Sequence, residues 1–296
     1  CGGRGACGLC RVRVVKPKGA CTALEEEHLS PRERAEGYRL ACMVRVNAPL
    51  SIEVPADILG AREVRAVVSS MARATSDIAH LSLTIPDDFR FEAGQYVQVR
   101  IPAPESPRGF EFRAYSVASD PGIPGRLELA VRLVPGGLGS PWLHGRRPDD
   151  ELQLTGPYGE WRLSPDPMRE LLLVGGGVGV TPLRSILYAA SRIPGKRVCF
   201  YLGVRTQADL FWVEEWEAFR ERFPHWRIVL ALSHEPPGSD WQGDRGFVHE
   251  ALDASWEPAS GSLQVFVCGP PAMTQAVLRV LEEKGVSPGD IYTDAF

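Results

Sequence analysis

Arg113-Ala114-Tyr115-Ser116, near the middle of a 296-residue chain, is the stretch on which the reading of this sequence turns. It is expected at the start of a strand, where the two-residue side-chain period puts Arg113 and Tyr115 on one face with Ser116 beside them. Alone it decides nothing: Tyr115 could be a core aromatic and Arg113 half of a surface ion pair. Its weight comes from its neighbours, a cysteine-glycine cluster from Cys1 to Cys42 and a glycine-rich turn from Gly175 to Pro182.

Length bounds the chain at two or three domains, at roughly 150 residues each. Hydrophobic content of 44% suits packed cores, and the net charge of −4 offers no basic field for nucleic acid. No apolar run approaches the roughly 20 residues that span a bilayer. The chain opens on Cys1 rather than Met, so further residues are expected upstream, and any membrane attachment would come from them or from a partner. Seven cysteines, four of them within the first 21 residues, point to metal in a reducing compartment rather than to disulfides.

Cys1, Cys7 and Cys10 on a glycine-rich loop, with Cys42 from a later segment, form the plant-type [2Fe–2S] arrangement. Gly2, Gly3, Gly5 and Gly8 let the loop wrap closely and turn its N–H groups towards a negatively charged cluster. Zinc and free structural thiols are the alternatives, but zinc sites usually pair two C-x-x-C knuckles and only one occurs here. Cys21 reads as an ordinary loop or core thiol. Strands are expected at 11–15 and 50–54, and a helix from Ser30 as cap through Pro31 and Glu33.

The segment 1–56 resembles the ferredoxin domain of the F subunit of sodium-translocating NADH:quinone reductase, and of reductase components of aromatic-ring oxygenases. The five-residue gap from Cys1 to Cys7 and the run Leu29 to Cys42 carry the likeness. It implies a β-grasp ferredoxin domain lacking its first strands, and a chain that is cytoplasmic or lies at the cytoplasmic face of the membrane.

Across 62–163, short alternating runs between Gly and Pro predict an antiparallel β-barrel. A flavin needs a cation for its pyrophosphate, a flat side chain over its ring and a polar group near its reactive nitrogen; Arg113, Tyr115 and Ser116 supply these. Upstream, the strand containing Tyr96 resembles the one preceding the flavin motif in ferredoxin-NADP-reductase-like modules. Downstream, Gly137 leads into a short helix with Ser140 as cap and Pro141 first, a place for the flavin phosphate. Gly156-Pro157-Tyr158-Gly159 matches a further turn of that family.

Across 168–296, an apolar strand runs into Gly175-Gly176-Gly177-Val-Gly179-Val-Thr181-Pro182. Strand, glycine turn and a helix capped by Thr181 make a pyrophosphate cradle of the Rossmann-like kind, on a parallel sheet. Gly203-Val-Arg205, Asp209, Phe211 and the run Cys268-Gly269-Pro270-Pro-Ala-Met273 follow at later strand ends. Their order is similar to NAD(P)H domains of ferredoxin-reductase-like enzymes. That likeness implies Cys268 near the nicotinamide, Arg205 to Phe211 on the adenosine side, and Phe296 shielding the flavin; a buried core thiol remains the plain alternative for Cys268. His249 reads as structural, and Trp212, Trp216 and Phe219 as a packing stripe.

A nicotinamide gives two electrons as hydride and an iron–sulfur cluster takes one, so FAD must stand between NADH and [2Fe–2S]. The expected function is an NADH-oxidising reductase with Tyr115, Ser116 and Cys268 at the reacting centre, holding the donor carbon about 3–3.5 Å from the flavin. NADH is preferred to NADPH because no basic pair for a 2′-phosphate stands near Arg205. Three acceptor classes stay open: the other subunits of a quinone-reductase complex, a soluble oxygenase, or a partner in redox sensing. The span from Arg132 to Ser140, shorter than its counterpart in the quinone-reductase family, keeps the second in play.

Overall fold

The computed structural model describes residues 5, 8, 10–16, 20–26, 28–29, 31–54, 60–258 and 261–295. Three sheets succeed one another along them. In the first, β1 (Arg11–Lys16) lies between β2 (Tyr38–Leu40) and β3 (Ser51–Glu53), antiparallel to both. Two short helices, α1 (Ala23–Glu26) and α2 (Pro31–Glu36), connect β1 to β2; the expected cap Ser30 lies outside the described residues.

One buried carboxylate organises this segment. Glu25 accepts from Arg39 Nε and Nη2 at 2.7 and 2.7 Å, and from the Thr22 and Leu40 N–H groups at 2.8 and 3.0 Å. Burial pushes its carboxyl up, but the Arg39 and backbone hydrogen bonds outweigh this and bring it down to about 2. The same knot places Ala41 so that its N–H donates to the Cys10 carbonyl at 2.7 Å.

The second sheet contains β4 (Arg62–Arg73), β5 (Ile78–Thr84), β6 (Tyr96–Pro102), β7 (Phe110–Ser116), β8 (Arg126–Arg132) and β9 (Glu151–Tyr158). Every pairing is antiparallel, in the order β7-β6-β9-β4-β5-β8. Alternate residues Val97, Val99 and Ile101 of β6 point into the core and are fully buried. The expected barrel is a curled half-barrel: edge strands β7 and β8 touch but are not joined in the hydrogen-bonded order. Arg113 to Ser116 close β7 rather than open it, because Phe110 to Phe112 already pair with Pro102 to Arg100. A short helix, α3 (Gly139–His144), follows β8.

The third sheet is wholly parallel: β10 (Glu170–Gly176), β11 (Val198–Val204), β12 (Arg227–Leu232), β13 (Asp244–Arg245), β14 (Leu263–Gly269) and β15 (Ile291–Ala295). Its order, β13-β12-β11-β10-β14-β15, reverses at β10, and such a switch point leaves a crevice beyond the strands' carboxyl ends. Helices α4 (Val180–Ala190) and α5 (Val213–Arg222) cover one face through Leu183, Ile186, Trp216 and Phe219. On the other face lie α6 (Val248–Ser255) and α7 (Pro271–Glu283), through Leu252, Val277 and Leu281.

Arg184 of α4 ties this sheet to the half-barrel. Its Nε and Nη2 donate to Glu215 at 2.7 and 2.7 Å, while Nη1 donates to Glu128 of β8 at 2.8 Å and to the Ala118 carbonyl at 3.1 Å. The guanidinium also lies 4.4 Å from the Trp212 ring centroid. Arg184 and Glu128 side chains are 4% and 3% exposed, so removing one partner leaves a charge in a poorly solvated place. Arg184→Met should cost about 3 kcal/mol or more in denaturant unfolding, and adding Glu128→Leu should recover part of that loss.

Candidate active site

Of the four expected cluster ligands, Cys10 and Cys42 are described, and Cys1 and Cys7 lie outside the described residues. The two sulfurs stand 3.3 Å apart, unbridged and half-buried, although 32 positions separate them in sequence. Gly5 and Gly8 have φ of +72° and +65°, so the loop takes the left-handed turns expected of one that wraps a cluster. Converging thiols on such a loop fit an iron–sulfur centre.

The crevice at the end of β10 holds two adjoining cavities. The smaller, about 260 Å³, has Ala114, Tyr115 and Ser116 as one wall and Gly176, Thr181, Gly269 and Pro270 opposite. The larger, about 550 Å³, runs on past Gly177, Arg205 and Asp209 to Met273. Arg132, Gly176 and Pro270 belong to both. The Ala114–Ser116 wall and the glycine turn, far apart in sequence, thus face each other across one space.

Glycines shape that space. A Cβ on Gly139 would lie 2.6 Å from the Tyr115 hydroxyl and 2.9 Å from Arg113 Cγ, so the turn before α3 packs directly on these two side chains. Burial pushes the Tyr115 phenol up to about 12, keeping it neutral. Gly177 adopts φ +54°, and a Cβ there would lie 2.6 Å from Arg132 Nη2. Gly179 packs its Cα hydrogens against the Cys268 carbonyl, where a Cβ would overlap backbone atoms.

Several expected roles change. Thr181 does not cap α4: the chain is already helical at Gly179 and Val180, and the Thr181 hydroxyl donates back to the Val178 carbonyl at 2.6 Å. Ser140 does not cap α3 either; its hydroxyl accepts from Val134 N–H at 2.9 Å and is spent within the turn. Gly137 closes that turn with Ser140, its N–H donating to the Val134 carbonyl at 2.9 Å, and neither lines a cavity. Arg113 donates to the Phe112 carbonyl at 2.8 Å and lies outside the smaller cavity's lining. Tyr96 pairs with Ser116 in register but leans on Tyr158, ring centroids 5.6 Å apart. Phe211 is buried in the core and stacks near Trp212 rather than lining the cavity. Cys268 is fully buried, and burial raises its thiol pKa well above the usual range, so it presents no thiolate to the crevice. Gly175 and Pro182 pack inside the sheet and α4, and Phe296 lies outside the described residues.

Residues 1–47 match the 2Fe-2S iron-sulfur cluster binding domain family, 65–163 the oxidoreductase FAD-binding domain and 173–279 the oxidoreductase NAD-binding domain. The F subunit of the Na(+)-translocating NADH-quinone reductase of Marinomonas sp. is 31% identical over all of this chain and 83% of its own length. Its counterpart in Actinobacillus succinogenes is 31% identical over 100% and 82%. This chain belongs to the NADH-quinone reductase F-subunit family. Among solved structures it is similar to the Amycolatopsis cytochrome P450 reductase GcoB, with a TM-score of 0.81 and 32% identity over 99% of this chain and 89% of the other. The ferredoxin reductase of carbazole 1,9a-dioxygenase follows at 0.76 and 28%, over 99% and 88%.

This member of the family is an NADH oxidoreductase with FAD and [2Fe–2S] cofactors. No helix among its described residues is long and apolar enough to cross a membrane. Its crevice also contains residues to which the sequence assigned no site role. Asp77 and Arg132 come from the half-barrel, while Ser233, Phe247 and His249 come from the parallel sheet's far side. His249, expected to be structural, stacks on Phe247 with ring centroids 5.7 Å apart and lines the larger cavity. Ser233, Phe247 and His249 lie in runs that resemble the F-subunit family, whereas Asp77 and Arg132 carry no signal beyond lying next to or at a strand end. Gly179→Ala should prevent close seating of α4 on β14, costing about 3 kcal/mol of stability and dinucleotide affinity with it, by thermal unfolding and NAD+ titration.

Proposed function

We propose that the crevice brings NADH and FAD face to face, and that the electrons leave through the Cys10–Cys42 centre to a quinone-reductase membrane complex. The observation carrying this reading is the sharing of Arg132, Gly176 and Pro270 between the cavity of the flavin motif and that of the glycine turn. Bound flavin would supply two-electron uptake and single-electron release, and the cluster single-electron passage.

The chain's own residues do the positioning. Tyr115 and Ser116 form the wall that a flat ring would rest on, with Arg113 behind Tyr115 on the same face. Gly176 and Gly177, lacking Cβ atoms, admit the dinucleotide's phosphates to Arg132 and to the uncapped start of α4. Met273 and Pro270 close the other side, and Arg205, held at 2.7 Å by Asp209, marks the adenosine end. Cys268 acts through its backbone, as the surface against which Gly179 seats, and Gly269 continues that wall. Cys1 and Cys7 would complete the thiolate set with Cys10 and Cys42. In this reading the chain divides into cluster (1–56), flavin (62–163) and dinucleotide (168–296) domains and works at the cytoplasmic face of the membrane.

A second reading, reductase of a soluble oxygenase, is favoured by the likeness to the P450 and carbazole dioxygenase reductases. The two separate on reconstitution: NADH oxidation coupled to the remaining quinone-reductase subunits supports the first, and coupling only to an oxygenase supports the second. Either requires that the purified protein contain FAD and iron and turn over NADH with ferricyanide; failure on both counts removes the reading, and sustained turnover excludes a mere sensor. Tyr115→Ala should lower flavin content and slow hydride transfer in stopped flow by roughly 10- to 100-fold, since small misplacements of reacting groups cost that much.

A further inference from the structure

The larger cavity is lined by two ion pairs, one contributed from each of its sides. Arg132 of β8 and Asp77, from the turn before β5, belong to the half-barrel; Arg205 and Asp209 follow β11 of the parallel sheet. Arg132 Nε lies 3.3 Å from Asp77 Oδ2, close enough for an ion pair but without the alignment of a hydrogen bond. Its Nη2 sits over Gly177, at the glycine turn where phosphates would bind. Arg205 is gripped by Asp209 at 2.7 Å. The Asp209 hydrogen bond and charge raise its pKa, and the charge of Asp77 adds to this.

Asp77 itself is well held. Its Oδ1 accepts from the Thr75 hydroxyl at 3.0 Å, and its backbone carbonyl accepts from Leu133 N–H at 2.7 Å. A carboxylate held against a guanidinium beside a glycine turn occupies the electrostatic position of an anionic ligand. A pyrophosphate over the glycine turn has better geometry for Arg132 than one poorly aligned carboxylate oxygen, because the guanidinium can then donate in pairs.

We propose that Asp77 is an internal competitor for the dinucleotide's pyrophosphate: it neutralises Arg132 in the free protein and gives it up when the dinucleotide binds. This rests on assigning the larger cavity to the dinucleotide. The device weakens ground-state binding, and so favours release of NAD+ after each turnover. The Arg132 and Asp77 side chains are about one-third exposed, so solvent and salt screen them and the effect is modest.

The test is calorimetric titration with ADP-ribose, which carries the pyrophosphate and no nicotinamide. Asp77→Asn keeps the size of the side chain and an oxygen for Thr75 while removing the charge, and should bind ADP-ribose about three- to tenfold more tightly than the unaltered protein. In an Arg132→Gln background the same substitution should have a clearly smaller effect, whereas a turn merely rearranged by Asn would change affinity equally in both. Asp77→Glu should stay near the unaltered affinity. Equal or weaker binding by Asp77→Asn, with the unaltered protein binding ADP-ribose, overturns the proposal and leaves the cavity assignment standing. Absence of ADP-ribose binding in every variant removes that assignment and the proposal together.

Discussion

Arg184 is the point on which the active crevice depends. Its guanidinium is buried between a half-barrel carboxylate, Glu128, and a parallel-sheet carboxylate, Glu215. A monovalent contact would let the two bodies slide. A planar cation that donates to both, and also lies over Trp212, fixes their distance and angle together. Because α4 carries Arg184 just beyond the glycine segment, that anchor, together with the Arg192–Asp120 pair, also sets where Gly176 and Gly177 stand relative to Tyr115 and Ser116.

Two different devices produce close approach. In the crevice, the missing side chains of Gly139, Gly177 and Gly179 let backbone meet Tyr115, Arg132 and the Cys268 carbonyl. In the first sheet, Glu25 and Arg39 form a buried, bidentate knot that carries the Leu40–Cys42 backbone to the Cys10 loop. One works by removing volume and the other by satisfying charge. Both are rigid, which suits a protein whose chemistry rests on holding partners at fixed distances rather than on acid–base work. The neutral states of Tyr115 and Cys268 agree with this.

Much of the fold could be read directly from residue patterns. The alternation at β5, β6 and β9, the apolar run of β10 and the glycine turn after it lie where the sequence put them. The predicted caps failed for a local reason: Ser140 and Thr181 sit one step inside backbone that is already helical, and their hydroxyls turn back to Val134 and Val178. Phe211 left the cavity for a nonlocal one. An aromatic beside a binding motif can face the core or the ligand, and packing against Trp212 decided for the protein interior.

By itself the sequence determined the three kinds of cofactor site and their order, because each requires particular residue types at short spacing: thiols on a glycine loop, Arg-x-Tyr-Ser on a strand, glycines between strand and helix. Tertiary structure alone decided which side chains share the crevice. Asp77 and Arg132 have no motif, and they meet Phe247 and His249 only because the curled sheet and the parallel sheet present their strand ends to the same space. Strand-end residues acquire a common neighbour from the packing of sheets, a long-range property that no window of local sequence contains.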